Sequence, residues 1–454
     1  MFNPSDYITI WDWLLSFIYM GFIIIAMYVY TLFKRKNDPI YKWLIPAFIV
    51  KCFGGIAVLM IYAYYYTEGG DTYSYFDNTK KLLLLTFENP QGTLRLLLGE
   101  NTYETFSFFP YSIGKPWADL FFDDKTWAVS RFTYPFVLLG FGRIMTSTIL
   151  FNAYALIGPW KLFRLLCEQY PDYRKKLAFA MFFIPSCIFW GSGLYKDSFT
   201  LSSTLWIFYS ILQITLNRKK IGINLFLIIL NSYIIISVKP YIFVVLLPAV
   251  LILFTYSSVK KIKNKALRIL ALPSLTIIVF AGGLLLFSSL SSSLGQYGNM
   301  TSMINKLIIT REDFIHNKTY STNFFDIGEF EPSFLGVLKK VPLAFLYGLL
   351  GPFPWQVTNP VIAISSLEGS LFLILFILSL RAVLFQKNVF KNLSDPIFIS
   401  FLFFSVILVI FVGLSTPNFG SLVRYRIPAL PLYLFCMIHV ISLSKKESQK
   451  RNIY

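Results

Sequence analysis

The sequence predicts an all-α polytopic membrane protein, and three observations carry that prediction. Of its 454 residues, 56% are hydrophobic and 19% aromatic while only 14% are charged, a balance that a soluble domain cannot bury. The mean hydropathy is +0.61, and apolar runs of spanning length recur along the chain. The Lys and Arg residues behind the net charge of +18 fall in short clusters between those runs, which is the pattern of cytoplasmic membrane loops and not of a nucleic-acid-binding face. Nucleic acid is thereby excluded as a partner class, and the lipid bilayer is expected as one. Cys52, Cys167, Cys187 and Cys436 lie in or beside apolar runs without paired spacing, so neither a disulfide framework nor a metal cluster is expected. The segment Met1 to Asp12 is acidic and lacks the basic flank of a cleavable signal, so the first apolar run is expected to remain as an anchor.

Basic clusters orient the spans. Residues 11–33 precede Lys34-Arg35-Lys36, so the N-terminus is expected outside. Residues 43–65 run back out and deliver Glu68-Gly-Gly-Asp71-Thr-Tyr-Ser-Tyr75 to the extracytoplasmic side; Lys51, inside that span, is expected to snorkel. Residues 67–130 read as a first extracytoplasmic loop whose stretch 71–88 is an interface helix. Residues 132–142 are too short to cross and read as re-entrant or partly buried. Spans 144–166 in, 177–195 out, 198–216 in, 223–238 out, 241–259 in and 267–287 out follow, each inward end meeting a basic cluster. A second extracytoplasmic loop covers 288–357 and includes a re-entrant segment, 335–355, that returns at Gly351-Pro-Phe-Pro-Trp355; a crossing there would leave Arg381 and Lys387 outside. Asn299 and Asn317 head glycosylation sequons that matter only in a secretory pathway. Residues 360–384, 398–414 and 427–443 bring the expectation to about eleven spans, N-terminus out and C-terminus in, within one membrane domain over 1–454. No internal repeat of the kind that marks inverted transporter halves stands out.

Orientation sorts the unusual polar residues by side. Asp71, Lys196 and Asp197, Lys239, Glu368, Arg424 and Arg426 all fall at or near the outer boundary, where cations run against the charge rule. Lys196, Lys239, Arg424 and Arg426 suit a phosphate or pyrophosphate, Arg as a bidentate donor and Lys as a point charge. Asp71 suits a general base acting on an acceptor hydroxyl. Tyr73, Tyr75 and Trp355 suit a sugar face or a lipid chain, and equally any membrane interface. Each residue also has a structural reading. Asp71 can cap the helix that follows, Lys196 and Asp197 can pair locally, Lys239 can mark a break before Pro240, and Glu368 can be the counter-ion of an outer cation. His316 and His439 are too few and too distant for a catalytic or metal histidine.

Asp71-Thr-Tyr-Ser-Tyr75, Gly193-Leu-Tyr-Lys-Asp197, Lys239-Pro-Tyr241, Pro352-Phe-Pro-Trp355 followed by Glu368, and Arg424-Tyr-Arg-Ile-Pro428 together resemble the multi-pass glycosyltransferases of the GT-C superfamily. The likeness is to bacterial protein-mannosyltransferase-like enzymes and exopolysaccharide polymerases, and it covers most of the chain in topology through short motifs. It implies a GT-C-like fold in a bacterial inner membrane with the active site facing outward. It also implies a polyprenyl-linked sugar donor, a glycan, lipid or protein acceptor, Asp71 as base, and donor phosphate held by Lys196, Lys239, Arg424 and Arg426. The chain departs from the many members with an adjacent acidic pair, since Asp71 has only Glu68 and Asp77 near it; a divalent cation is therefore left open. Three readings follow: single-sugar transfer from a lipid-linked donor, an O-antigen-type polymerase in which the outer arginines are the main apparatus, and a flippase or transporter of lipid-linked sugars.

Overall fold

A computed structural model describes residues 3–35, 38–66, 69–218, 220–260, 289, 291–316, 324–386, 389 and 393–451. Among them the chain is helical and holds no strand, apart from one isolated antiparallel bridge between Phe324 and Asn418. Among the described residues six helices are long and apolar enough to cross a membrane: Ile10–Arg35, Pro39–Tyr65, Lys196–Asn217, Ile221–Val238, Pro360–Phe385 and Pro396–Ser415. Two bent pairs raise the number to eight if each counts as one span. They are Asp124–Leu139 with Ile144–Gln169, bent by 108°, and Phe419–Tyr425 with Leu430–Lys445, bent by 70°. The protein is an all-α integral membrane protein. The expected span 267–287 lies outside the described residues, as do Glu68, Asn317 and Lys387.

The chain forms two compact units. The first comprises Met1–Arg164, Cys187–Ser203 and Ser237–Lys239. Its Ile10–Arg35 helix keeps Leu14, Phe17, Phe22 and Ile25 exposed, as a lipid-facing span should. The Leu44–Met60 helix widens into a π-helical turn, Ile61–Tyr65. Gly69, at φ 77°, then reverses the chain into the Gly70–Glu88 helix; L side chains rarely adopt that angle. The stretch expected as an interface helix is in fact packed on the Asp124–Leu139 helix. It buries Thr72, Phe76, Thr79 and Leu82, and the Thr79 hydroxyl donates to the Ser130 carbonyl at 3.2 Å. The rest of the first long loop is also folded. Asn89 caps the Pro90–Leu98 helix through the Gly92 amide at 2.8 Å, and Leu82, Leu85, Leu96, Phe109, Phe121 and Trp127 form a core of their own.

Of two further expectations, the partly buried reading of 132–142 fits and the single span 177–195 changes. Residues 132–142 are the second half of the Asp124–Leu139 helix and the turn that ends it, with Phe141 and Gly142 both at positive φ. Residues 177–195 are not one helix. Arg174–Phe182 ends at Phe183, Pro185–Trp190 follows, and Gly191 to Tyr195 is a non-helical turn. Pro185 has no amide hydrogen to donate and disfavours helix in the residue before it, so the ladder breaks there.

The second unit comprises Leu165–Ser186, Thr204–Ile236 and Pro240–Tyr454. Its centre is the Pro396–Ser415 helix, packed by Phe334–Leu350, Pro240–Lys260 and Leu430–Arg451. Contact with Phe334–Leu350 is backbone to backbone. A Cβ on Gly413 would sit 2.0 Å from the Ala344 carbonyl oxygen, and one on Gly348 would sit 2.3 Å from that of Val409, the small-residue packing of membrane helices. Ser400 and Ser405 donate to the carbonyls of Ala249 and Ala429 at 2.6 and 3.1 Å. The segment expected to be re-entrant is a 17-residue helix, Phe334–Leu350, that ends at Gly351, followed by a cis Gly351–Pro352 bond and a short turn, Pro354–Gln356.

Candidate functional site

The predicted site residues divide between the two units. Asp71, Tyr73, Tyr75, Lys196, Asp197 and Lys239 belong to the first, and Trp355, Glu368, Arg424 and Arg426 to the second.

In the first unit Asp71 is the second residue of the Gly70–Glu88 helix and half-buried. The capping position is held by Gly69, which has no side chain to cap with; Asp71 instead stands in the first turn, where the helix amides favour a carboxylate. Gly70 lies against the Tyr62 ring, which a Cβ would meet at 2.3 Å. Tyr62 is in turn 6.4 Å from both the Trp190 and the Tyr195 rings, which are 6.0 Å apart. This ring cluster joins the Asp71 turn to the Gly193–Asp197 turn. The Asp197 carboxylate accepts a hydrogen bond from the Lys239 ammonium, both side chains being buried. Lys196 points elsewhere, donating to the Thr126 hydroxyl at 2.7 Å with Asp123 at 3.8 Å. Lys196 and Asp197 thus each have a partner distant in sequence. Lys51, expected to snorkel, instead donates to the Gly191 carbonyl and ties the second span to the same turn.

Tyr73 and Tyr75, expected to meet sugar or lipid, are both buried, and the Tyr73 hydroxyl donates to the Leu59 carbonyl at 3.0 Å. Two residues apart, they lie on different faces of a helix that is covered on more than one side along this stretch. Asp77, the described acid nearest Asp71 in sequence, accepts hydrogen bonds from the Tyr7 hydroxyl at 2.7 Å, the Lys81 ammonium at 2.7 Å and the Trp117 indole at 3.0 Å. Burial first, and the Asp77 hydrogen bond second, push the Tyr7 phenol well above its ordinary range, so it stays a donor to that carboxylate. Among the described residues no three His, Cys, Asp or Glu side chains converge as a metal site.

In the second unit Arg426 has a 0% exposed side chain. Its Nη1 donates to the carbonyls of Gly348 at 3.1 Å, Leu349 at 2.9 Å and Gly351 at 2.7 Å, and Nη2 lies 3.7 Å from Glu368 Oε1. These are the carbonyls that the end of the Phe334–Leu350 helix leaves without intrahelical partners. The phosphate role expected of Arg426 therefore gives way to that of a brace. Glu368 is buried, accepting from the Ser186 amide at 2.8 Å and hydroxyl at 2.6 Å, and of its two readings the counter-ion fits this geometry. Arg424 is half-buried near the end of the Phe419–Tyr425 helix. Trp355 is 78% exposed and stacks on Phe353 at 4.9 Å.

No family model, curated protein or solved structure matches the chain. The site therefore rests on its own geometry. Tyr62, Trp190 and Tyr195 were not singled out as site residues in the sequence, although Tyr195 lies within the Gly193–Asp197 motif. Their signal was the aromatic density around the turns, with Tyr64, Tyr65 and Tyr66 exposed just before the Asp71 helix, and nothing in their spacing singled out which rings would meet.

Proposed function

We propose that this protein is a membrane glycosyltransferase. In this reading it moves a sugar from a polyprenyl-phosphate-type donor to a glycan, lipid or protein acceptor at the extracytoplasmic face of a bacterial inner membrane, with about eleven spans, N-terminus out and C-terminus in. One observation carries the reading. The Asp71 turn and the Gly193–Asp197 turn meet through the Tyr62, Trp190 and Tyr195 rings, and Lys239 is locked to the second turn by its buried pair with Asp197. A half-buried carboxylate in a turn held by packed rings and a buried ion pair suits a base that takes a proton from an attacking hydroxyl.

Asp71 is assigned as the base. It accepts the acceptor's hydroxyl proton as that oxygen forms a bond to the sugar's anomeric carbon. The bond from that carbon to the donor phosphate oxygen breaks, and its electron pair leaves on the lipid phosphate. Lys196 is assigned to the departing phosphate, while Lys239 positions Asp197 and the start of the Lys196–Leu212 helix. Of its two candidate arginines the polymerase alternative keeps Arg424, because Arg426 is committed to backbone carbonyls.

The test is transfer of labelled sugar from a polyprenyl-phosphate donor in membranes holding equal amounts of each variant. Asp71→Asn is expected to lose at least about a hundredfold in rate, the range of a general base, with unchanged expression. Full activity in that variant removes Asp71 as base. Mass analysis of the lipid-linked glycan in a deletion strain then separates single-sugar transfer from polymerisation.

A further inference from the structure

Away from the Asp71 turn, the first unit holds a cleft of about 880 Å³ between the N-terminal segment, the Gly70–Glu88 helix and the turn after Leu138. One end is ionic. Asp12 forms part of it and is 1% exposed; its Oδ2 accepts from the Thr9 amide and hydroxyl and from Arg143 at 3.1 Å. Its Oδ1 accepts no hydrogen bond from any described residue. Arg143 spends only Nη1 on Thr9 and Asp12 and is otherwise open to the cleft. Lys80 lies over the Tyr7 ring at 5.3 Å, with no described hydrogen-bond acceptor for its ammonium, and Asp6 stands exposed at the rim.

The other end is apolar. Leu84 and Phe87 continue the Lys80 face of the helix, and Leu138 and Phe141 oppose them; all four are exposed, Phe87 by 77% and Phe141 by 72%. Phe87 lies about 10 Å along the helix axis from Lys80, the distance from a lipid headgroup to the first part of its chains.

We propose that this cleft binds a zwitterionic phospholipid of the ethanolamine type, a site separate from the sugar-transfer chemistry. Lys80 and the free edge of Arg143 take the phosphate, the Asp12 Oδ1 and Asp6 side takes the ammonium, and the chains run along Leu84, Phe87, Leu138 and Phe141. Charge complementarity selects this occupant over an anionic lipid. The lining carries two carboxylates and two cations, so a lone phosphate leaves the carboxylates facing negative charge, whereas an ammonium supplies the donor that Asp12 Oδ1 lacks.

The experiment uses the full chain, purified in detergent and stripped of lipid, offered dioleoyl phosphatidylethanolamine, dioleoyl phosphatidylglycerol or undecaprenyl phosphate, with retention read by native mass spectrometry. Phosphatidylethanolamine is expected to be retained about tenfold better than either anionic lipid, a factor worth about 1.4 kcal/mol. Lys80→Glu and Leu84→Trp, checked for unchanged lipid-free melting, are expected to lose that retention. Equal retention of phosphatidylglycerol overturns the proposal. So does displacement by undecaprenyl phosphate, which gives the cleft to a lipid-linked substrate, and so does undiminished retention by a well-folded Leu84→Trp.

Discussion

A guanidinium with no solvent exposure must find its partners on the protein, and Arg426 gives Nη1 to three carbonyl oxygens and sets Nη2 3.7 Å from Glu368. Removing it strands both the helix end and the buried acid, so Arg426→Ala is expected to destabilise by about 3–5 kcal/mol, as for other broken buried pairs. The check is a melting curve in detergent. Arg426→Lys should recover little, because one ammonium cannot reproduce the fork, while Arg424→Ala should shift the curve far less. Asp197 and Lys239 invite a double-mutant cycle: Asp197→Asn and Lys239→Met are each expected to cost about 3 kcal/mol or more, and the pair together clearly less than the sum. Additive losses would mean that the two side chains stabilise independently. Arg426 and Glu368 were visible in the sequence as charges in unsuitable places, and their pairing was among the readings open for Glu368. Ser186 was not visible, since a serine in an apolar run carries no sign that it will offer both its amide and its hydroxyl to a carboxylate 182 residues away. The contact of Arg143 with Asp12 was hidden for the same reason, at a separation of 131 residues.

Helices in this chain are placed by what they cannot accommodate. Gly413 and Gly348 let the Pro396–Ser415 and Phe334–Leu350 helices touch through backbone, so Gly413→Leu is expected to cost about 3 kcal/mol or more by overpacking, lowering the melting temperature and the yield of folded protein. Gly21, in the lipid-facing first span, has nothing within 4 Å of a built Cβ; Gly21→Leu is the control and should be neutral or slightly stabilising. Hydropathy located the spans 11–33, 43–65, 198–216, 223–238, 360–384 and 398–414 to within a few residues, because a run of apolar residues of that length has one stable form in lipid. It failed at 177–195, where Pro185 outweighs an apolar average. It also understated 67–130, whose core depends on Leu96, Phe109 and Trp127 meeting across short polar connections.

At the scale of the molecule, Cys52, Cys167, Cys187 and Cys436 are all buried. The wild-type protein should therefore be silent to a membrane-impermeant maleimide, which makes it a ready background for topology. Ser5→Cys is expected to label in intact cells, and Lys445→Cys only after permeabilisation. The reverse pattern would invert the orientation and place the Asp71 turn in the cytoplasm, away from any extracytoplasmic acceptor.

The Arg426 brace also sets an order of assembly. The carbonyl of Gly351 leaves the ribosome 75 residues before the arginine that satisfies it, a delay of about 4–15 s at ordinary elongation rates. During that interval the end of the Phe334–Leu350 helix must wait on lipid headgroups, water or a chaperone. The second unit therefore closes only when almost the whole chain has been made, and chains arrested before Arg426 should be far more open to proteases than those arrested a few turns after it.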